Sequence, residues 1–277
     1  MSSVSDFRRF YAEFIVRKAR ADDRRLVDAF ASVPREDFVG PGPWQVFVGS
    51  YISTHTSDVR VLYQDILIGL APERGINNGE PSLHAKCLAA VAPVDGEAVI
   101  HLGAGTGYYS AVLATLVGAG GTVLAIEREP DLVDRARDAL RPYLNARAEA
   151  APPSGSDLFP ADVVYVSAGA THPLSAWLDA LRVGGRLLFP LTPTNGLGLM
   201  LLVTRIDSDV YAARALMRAA FIPYIGARDE AASAALAEAL ERRSIDEIRS
   251  LRRGGPPDAS AWCSGDGWWL STAEALQ

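Results

Sequence analysis

The stretch that decides the fold is VIHLGAGTGYYSA at residues 99–111, followed by TVLAIE at residues 122–127. Its pattern predicts an apolar strand, a glycine turn, a helix and a second apolar strand that ends in a carboxylate, Glu127. Such a unit is half of a nucleotide-binding α/β domain. Glycines at the turn let the backbone approach a ligand, because a Cβ would collide with it and because other residues resist positive φ.

The spacing of the glycines separates the classes of cofactor. A dinucleotide fingerprint, G-x-G-x-x-G, would need its third glycine at position 108, which is Tyr108, and no P-loop lysine follows. The turn G-x-G-x-G resembles the first motif of S-adenosylmethionine-dependent methyltransferases. NAD binding and a purely structural glycine turn remain alternatives. Glu127 follows the last glycine by twenty residues, where a carboxylate can accept both hydroxyls of a ribose. The predicted cofactor-binding residues are Gly103, Ala104, Gly105, Thr106, Gly107, Tyr108, Glu127 and Arg128.

Composition narrows the class of protein. The chain has 277 residues, of which 49% are hydrophobic, so it can bury a sizeable core. The net charge is −6 and the pI is near 5.3, and no basic stripe is visible, which argues against a nucleic-acid partner. Cys87 and Cys263 lie far apart without a ligand-like spacing, so we expect free thiols and no metal. No apolar run is long enough to span a membrane, and we predict a soluble, cytoplasmic protein.

Apolar spacing predicts the elements on either side of the glycine turn. Residues 6–31 are predicted to be helical up to Pro34, and residues 44–52 and 63–69 to be strands. The stretch 161–166 reads as a buried strand. We expect a helix near 174–181 that ends at Gly184-Gly185, a strand at 186–191, and an antiparallel pair at 197–205 and 210–215.

The composition of the chain changes after Gly226, where the sequence becomes rich in alanine and charged residues. Residues 229–252 predict one amphipathic helix, with Leu236, Leu240, Ile248 and Leu251 along one face. A docked helix is the first interpretation, and a homodimer contact is the alternative. The tail carries Trp262, Trp268 and Trp269 around the turn signal SGDG at 264–267, and three tryptophans are too apolar to remain in water.

Several stretches outside the glycine turn, taken in order, resemble the protein-L-isoaspartate O-methyltransferase family. The resemblance covers about residues 20–225, and it is carried by VPREDFV at 33–39, YQD at 63–65 with Ile68-Gly69, PSLHA at 81–85, VYVSAGA at 164–170 and LRVGGRLLFP at 181–190. It implies an α/β fold with a doubly wound, mostly parallel sheet and helices on both faces, the Rossmann-like fold of these methyltransferases. The predicted division is an N-terminal helical, lid-like addition at 1–75, a cofactor-binding core at 76–226, and a C-terminal extension of one helix and a tryptophan-rich tail at 227–277.

Three positions depart from the family pattern. The family carries a T-I-S-Q-P-like loop, whereas this chain reads GINNGEP at 75–81, so that Asn77 takes the serine position and extra chain precedes the proline. His101 stands where the first motif usually has an acidic residue. The family's Gly-Asp pair facing the adenine is missing, and Asp157 is the candidate replacement.

The resemblance implies S-adenosylmethionine as methyl donor and a carboxylate in a protein or peptide as acceptor. A carboxylate needs no general base at neutral pH, since its reference pKa is near 4. Asn77 and His84 are the predicted catalytic residues. His84 would serve as the base if the acceptor were an alcohol or amine, or it is a structural histidine. Ser167 is predicted to line the cofactor pocket, because it follows the carboxyl end of a strand.

Three hypotheses about function follow. The first is a carboxyl O-methyltransferase that acts on isoaspartyl residues of proteins or peptides. The second keeps the methyl donor but changes the acceptor to a small molecule or a dedicated peptide, because of Asn77, the longer loop and the tail. The third is a binding module that has lost catalysis, because of His101 and the missing Gly-Asp pair.

Overall fold

The computed structural model describes residues 3–151 and 158–275. The helices are Val4–Lys18 (α1), Arg24–Ser32 (α2), Glu36–Val39 (α3), Pro81–Val91 (α4), Tyr108–Leu116 (α5), Pro130–Ala139 (α6), Ser175–Asp179 (α7) and Glu230–Arg242 (α8), with short 3₁₀ turns at Val59–Leu62, Pro72–Arg74 and Ile245–Glu247. The strands are Gln45–Phe47 (β1), Tyr51–Ser53 (β2), Leu67–Ala71 (β3), Ile76–Asn77 (β4), Ala98–Leu102 (β5), Thr122–Glu127 (β6), Ala146–Ala150 (β7), Ala161–Val166 (β8), Leu181–Leu191 (β9), Gly198–Asp207 (β10), Val210–Ala219 (β11), Ser250–Arg253 (β12), Ala261–Gly265 (β13) and Trp268–Ser271 (β14).

The chain forms two compact units. The first comprises residues 1–97 and 103–151, and the second comprises residues 98–102 and 152–277. The first unit holds α1 to α6, a small antiparallel sheet in the order β2-β1-β3-β4, and the parallel pair β6-β7. The second holds α7, α8 and strands in the order β13-β14-β12-β11-β10-β9-β8-β5.

The N-terminal helical stretch is two helices rather than the predicted one. α1 begins in a capping box. Oγ of Ser3 accepts from the backbone N–H of Asp6, and Oδ2 of Asp6 accepts from the backbone N–H of Ser3. The helix ends before Arg20, whose φ of +55° is left-handed. Asp23 then caps α2 by accepting from the backbone N–H of Arg25. The periodic apolar spacing hides this break, because both helices bury the same kind of face.

Arg35 is fully buried and organises the segment that leads to β3. Its guanidinium donates to the backbone carbonyls of Leu62, Gln64 and Ile66 at 2.5–3.3 Å. Its charge lies 5.4 Å and 5.7 Å from the ring centroids of Tyr11 and Tyr108, within cation–π range. These bonds take up carbonyls that a strand would use, and the predicted strand at 63–69 therefore begins only at Leu67.

The second unit carries a mixed sheet. β5, β8 and β9 are parallel neighbours, whereas β9 to β12 and the β14-β13 hairpin are antiparallel. The α/β fold and the predicted antiparallel pair, here β10 and β11, are confirmed. The expected helix end at Gly184-Gly185 is wrong, since α7 ends at Asp179 and both glycines lie within β9.

A bulge explains the two glycines. The register of β8 against β9 shifts between the pairs Ala161↔Leu181 and Val163↔Arg186. Gly184 has a φ of +82°, and a Cβ on Gly185 would lie 2.7 Å from the carbonyl oxygen of Arg182. Glycine is required here for a strand irregularity, which local sequence does not distinguish from a helix C-cap.

The C-terminal helix is shorter than predicted. α8 ends at Arg242, and Ile248 and Leu251 are buried outside it, with Leu251 in β12. Ser244 caps a 3₁₀ turn there by accepting from the backbone N–H of Asp246.

The three tryptophans of the tail are buried within the second unit, as their apolar character predicts. Trp262, Trp268 and Trp269 are at most 6% exposed. β13 and β14 form a hairpin at the predicted turn, and β14 also pairs with β12. The indole N–H of Trp262 donates to the carbonyl of Ser244 at 2.9 Å.

Candidate active site

The glycine turn has the backbone that the sequence predicts. Gly103, Gly105 and Gly107 have φ values of +71°, +57° and +92°, a region that side-chain-bearing residues rarely adopt. The backbone N–H groups of Gly103 and Ala104 donate to the carbonyl of Ile126 at 2.9 Å and 3.2 Å. These bonds fix the turn against the end of β6.

Glu127 is buried at the end of β6, and its carboxylate faces the turn. Oε2 accepts from the N–H of Gly105 at 2.7 Å, and Oε1 accepts from the N–H groups of Arg128 and Glu129 at 2.6 Å and 3.0 Å. A carboxylate offers about four acceptor positions, and the three bonds leave one on Oε2. The carboxylate can therefore accept one further hydrogen bond while it keeps its three backbone donors.

The other predicted residues of the turn lie in different surroundings. Thr106 is buried, and Arg128 is exposed. The side chain of Tyr108 packs among aromatic residues of the first unit, with its ring centroid 5.6 Å from Phe38 and its hydroxyl 3.4 Å from that of Tyr11. Only its backbone, at the start of α5, belongs to the turn.

Asn77 lies on the short strand β4, opposite Gly69 on β3. Its Oδ1 accepts from the N–H of Gly79 at 3.0 Å, and its Nδ2 lies 3.4 Å from the hydroxyl oxygen of Tyr51. Next to it, Asn78 closes the hairpin at its base, because its side-chain oxygen accepts from the N–H of Ile68 and its own N–H donates to the carbonyl of Ile68. We call residues 67–79 the acceptor hairpin.

His84 packs on the acceptor hairpin. Its ring stacks on Tyr109 at 3.6 Å between centroids and 13° between planes. A Cβ on Gly79 would lie 2.3 Å from Nε2 of His84, so ring and backbone are in contact. Tyr109 in turn donates to the carbonyl of Gly79 at 3.2 Å. The imidazole thus supports the loop that carries Asn77.

An arginine clamp holds the tip of the acceptor hairpin, and sequence reasoning missed it. Arg74 donates to Asp131 through both terminal nitrogens at 3.0 Å and 2.6 Å, and to Glu129 at 2.6 Å. Glu129 and Asp131 follow Glu127 closely along the chain. The clamp thereby joins the hairpin to the turn that carries the ribose-binding candidate. No local spacing could have revealed it, because the partners lie 55 and 57 residues away.

Asp65 and Lys18 anchor the start of α4, which follows the hairpin. Asp65 accepts from the N–H of Ser82 at 2.7 Å and from Nζ of Lys18 at 2.5 Å. These hydrogen bonds outweigh burial and lower the pKa of Asp65. The carboxylate performs the capping that Glu80, the residue at the N-cap, does not.

His101 and Ser167 meet within the second unit. Nε2 of His101 lies 2.9 Å from Oγ of Ser167, and Tyr165 packs edge-on at 5.4 Å between ring centroids. Burial lowers the pKa of His101 to about 3. The imidazole is therefore neutral at neutral pH, and it orients the Ser167 hydroxyl instead of carrying the negative charge usual at this position.

Asp157, the candidate replacement for the family's Gly-Asp pair that faces the adenine, lies outside the described residues. Within residues 3–151 and 158–275, no group of three or more His, Cys, Asp or Glu side chains is placed to hold a metal ion. Over the same ranges, no helix is long and apolar enough to cross a bilayer.

Comparison with known proteins agrees with this geometry. The model of the family Protein-L-isoaspartate(D-aspartate) O-methyltransferase matches residues 13–229. The protein-L-isoaspartate O-methyltransferase of Aeropyrum pernix is 30% identical over 219 residues, which cover 77% of each chain. That of Rhodopseudomonas palustris is 29% identical over 218 residues, which cover 75% of this chain and 88% of the relative. A solved protein-L-isoaspartate O-methyltransferase shares the fold with a TM-score of 0.64 at 23% identity, over 84% of this chain and 68% of its own.

The fold and the glycine turn define a methyltransferase of the Rossmann-like class. The matched residues then fix the family, and the chain belongs to the protein-L-isoaspartate(D-aspartate) O-methyltransferase family. The predicted S-adenosylmethionine-dependent O-methyltransferase is confirmed at this level. The family is one of enzymes, which contradicts the hypothesis of a non-catalytic module.

Proposed function

We propose that this protein transfers a methyl group from S-adenosylmethionine to the free carboxylate of an L-isoaspartyl residue in a protein or peptide. The observation that carries the proposal is the seating of the acceptor hairpin against the glycine turn within the first unit. A Cβ on Gly105 would lie 3.2 Å from Cδ1 of Leu70, and Arg135 donates to the carbonyl of Leu70 at 3.2 Å. Together with the Arg74 clamp, these contacts bring Asn77 and Glu127 into one assembly.

The residues of the turn fit the methyl donor. When bound, the donor supplies a sulfonium-activated methyl group for an in-line displacement. The positive φ of the three glycines excludes most side chains from the turn, so its backbone can approach a ligand, and the carboxylate of Glu127 has an acceptor position for a ribose hydroxyl. We propose that Gly103, Ala104, Gly105, Thr106 and Gly107 contact the donor through their backbone, and that Glu127 accepts its ribose. Tyr108, Arg128 and Ser167 remain proposed contacts on the strength of the sequence.

Positioning supplies the catalysis in this proposal. An isoaspartyl carboxylate is ionised at neutral pH and needs no general base. The side-chain amide of Asn77 can donate to a carboxylate oxygen and hold it in line, and such proximity contributes roughly 7–11 kcal/mol in favourable cases. His84 keeps the hairpin in place by its contact with Gly79. We therefore assign His84 to positioning and Asn77 to contact with the acceptor.

The test is transfer of labelled methyl groups from S-adenosylmethionine to an isoaspartyl peptide and to the matching aspartyl peptide, scored as base-labile ester. We expect label in the isoaspartyl peptide only. The variant Asn77→Ala should reduce turnover of the acceptor and leave the affinity for S-adenosylhomocysteine unchanged. Label in neither peptide, from protein that binds S-adenosylhomocysteine, would refute the proposed acceptor.

A second candidate acceptor is a small carboxylate or a dedicated peptide. The amide in place of the family's hydroxyl favours it, since Oδ1 of Asn77 is already engaged by Gly79 and only Nδ2 can donate. The extension beyond residue 229, which the family model does not cover, also favours it. Screening small carboxylates with the same assay distinguishes the two candidates.

We propose a division at 1–75, 76–226 and 227–277, a cytoplasmic location, and no nucleic-acid partner, given the net charge of −6. Cys87 and Cys263 are both buried, and neither takes part in a disulfide among the described residues, which supports a reducing compartment. The homodimer through α8 remains a hypothesis that sedimentation can test.

A further inference from the structure

In the small sheet of the first unit, strands β1 and β3 have one packed face and one more exposed face. On the packed face, Val46 and Ile68 are neighbours on adjacent strands and are at most 8% exposed, in a cluster with Trp44 and Leu62. Successive side chains alternate between the faces of a strand. The residues that precede or follow Val46 and Ile68 on their strands therefore point to the other side, where Phe47 is 40% exposed.

The more exposed face is aromatic, and it leads directly to Asn77. Phe47 pairs with Tyr51 on β2 and with Leu67 on β3. The rings of Phe47 and Tyr51 pack edge to face at 5.3 Å between centroids. A Cβ on Gly69 would lie 3.2 Å from Cε1 of Tyr51, so the ring of Tyr51 crosses over this glycine. Its hydroxyl oxygen then lies 3.4 Å from Nδ2 of Asn77.

These contacts form a continuous surface from Phe47 to the proposed acceptor residue. We call Phe47, Tyr51 and Leu67 the aromatic face. None of these three side chains is charged, and at Gly69 the surface is completed by the ring of Pro72, whose Cγ would lie 2.5 Å from a Cβ on that glycine.

We propose that the aromatic face binds an apolar or aromatic side chain of the acceptor polypeptide, two residues away from the residue that is methylated. This inference rests on the proposed function, since it takes Asn77 as the contact for the acceptor carboxylate. An isoaspartyl residue carries its free carboxylate on Cα and continues the chain through its β-carbon, so the regular spacing of an extended peptide, in which side chains two positions apart project to the same side at roughly 6.6 Å, applies on its N-terminal side. A chain whose carboxylate reaches Asn77 thus presents the second residue before it to the rings of Tyr51 and Phe47.

Size and continuity favour a short peptide segment over a second copy of the protein. Strands β1 and β2 have three residues each, which corresponds to a surface about 10 Å long. A stable dimer generally buries about 800 Å² on each partner, far more than this face offers. The direct contact of Tyr51 with Asn77 ties the face to the acceptor instead.

The test uses short synthetic isoaspartyl peptides that are identical except at one position. That position lies two residues before or two residues after the isoaspartyl residue, and it carries alanine, leucine or phenylalanine. For the wild-type protein we expect kcat/KM to be about fivefold higher with phenylalanine than with alanine on the N-terminal side, the size expected for one aromatic contact. Phe47→Ala should bring this ratio to about one. Leu144→Ala, at a side chain 98% exposed elsewhere in the first unit, is the matched control and should keep the ratio.

A binding measurement keeps the inference independent of methyl transfer. Fluorescence anisotropy of labelled isoaspartyl peptides with phenylalanine or alanine at the same position is recorded on protein loaded with S-adenosylhomocysteine, which has no methyl group to transfer. We expect the same preference and the same loss in Phe47→Ala. Tyr51→Phe keeps the ring and removes only the hydroxyl, so it should retain the preference.

Each outcome assigns the two claims separately. If no isoaspartyl peptide is methylated but binding shows the Phe47-dependent preference, the proposed acceptor is wrong and the aromatic face is supported. If peptides are methylated without any such preference, the acceptor is right and the inference is overturned. Absence of both refutes both. A concentration-dependent mass in sedimentation that Phe47→Ala abolishes would assign the face to a second copy and likewise overturn the inference.

Discussion

Two glycines of the acceptor hairpin allow a matched pair of substitutions. Gly75 and Gly79 have nearly the same backbone, with φ of +70° and +73°. A Cβ at Gly75 meets nothing within 4 Å, whereas a Cβ at Gly79 would lie 2.3 Å from Nε2 and 2.9 Å from Cδ2 of His84. The difference between the two alanine variants therefore isolates the contact with His84.

The expected destabilisation follows from these distances. Alanine in the left-handed region costs about 1 kcal/mol at either position. The overlap at Gly79 adds about 1–3 kcal/mol, because overpacking a tight contact forces its neighbours to shift. Gly75→Ala should thus lower the Tm by about 2–4 °C, and Gly79→Ala should lower it by about two to four times as much.

Calorimetry and acceptor kinetics provide the assay. Because Gly79 donates to Asn77 and accepts from Tyr109, its displacement should raise the KM for the isoaspartyl peptide in Gly79→Ala and not in Gly75→Ala. The affinity for S-adenosylhomocysteine, measured by titration calorimetry, should stay the same in both. The double variant Gly79→Ala, His84→Ala should be less damaging than the sum of its single changes. Equal Tm shifts in the two glycine variants, or strict additivity with His84→Ala, would refute the reasoning.

Three further predictions concern other parts of the site. Gly105→Val should abolish binding of S-adenosylhomocysteine in calorimetry, since valine resists the φ of +57° and its Cβ would press on Cδ1 of Leu70 at 3.2 Å, so that the turn must change shape. Wild-type affinity would contradict the assignment of the turn. Hydrogen bonds to Ser82 and Lys18 help lower the pKa of Asp65, so its contribution to stability is present above about pH 4 and is lost as the pH falls through its folded pKa. Urea unfolding between pH 3 and 6 should show this loss in the wild-type protein and not in Asp65→Asn. Since burial lowers the pKa of His101 to about 3, stability should decline as the pH falls below its unfolded value of about 6.5, and His101→Asn should remove that slope.

Local spacing was sufficient for the glycine turn and for Glu127. Each depends on a few residues in a row, where positive φ admits glycine and a strand end places a carboxylate. The β13-β14 hairpin was predictable for the same reason, because a turn signal lies between two apolar stretches.

Features that depend on the register of strand pairing could not be predicted from the sequence. Gly184 and Gly185 fit a helix end as well as a bulge, and only the pairing of β8 with β9 decides between them. The helix predicted at 229–252 failed at Ser244, where a side chain competes for the backbone. Arg74 and Tyr51 gave no signal at all, since their partners are distant in sequence and the faces of short strands follow from pairing alone.

The order of the outer strands has a consequence for how this chain is made. β14 lies between β12 and β13, although it is the last of the three to be synthesised. β12 can pair with β11 as soon as both are made, but β13 has no sheet neighbour until β14 follows, so the outer hairpin of this sheet forms only after Ser271 has left the ribosome. Until then β12 is an open edge that can pair with other chains. Nascent chains stalled before the tryptophan-rich end should therefore depend on chaperones far more than the finished protein does.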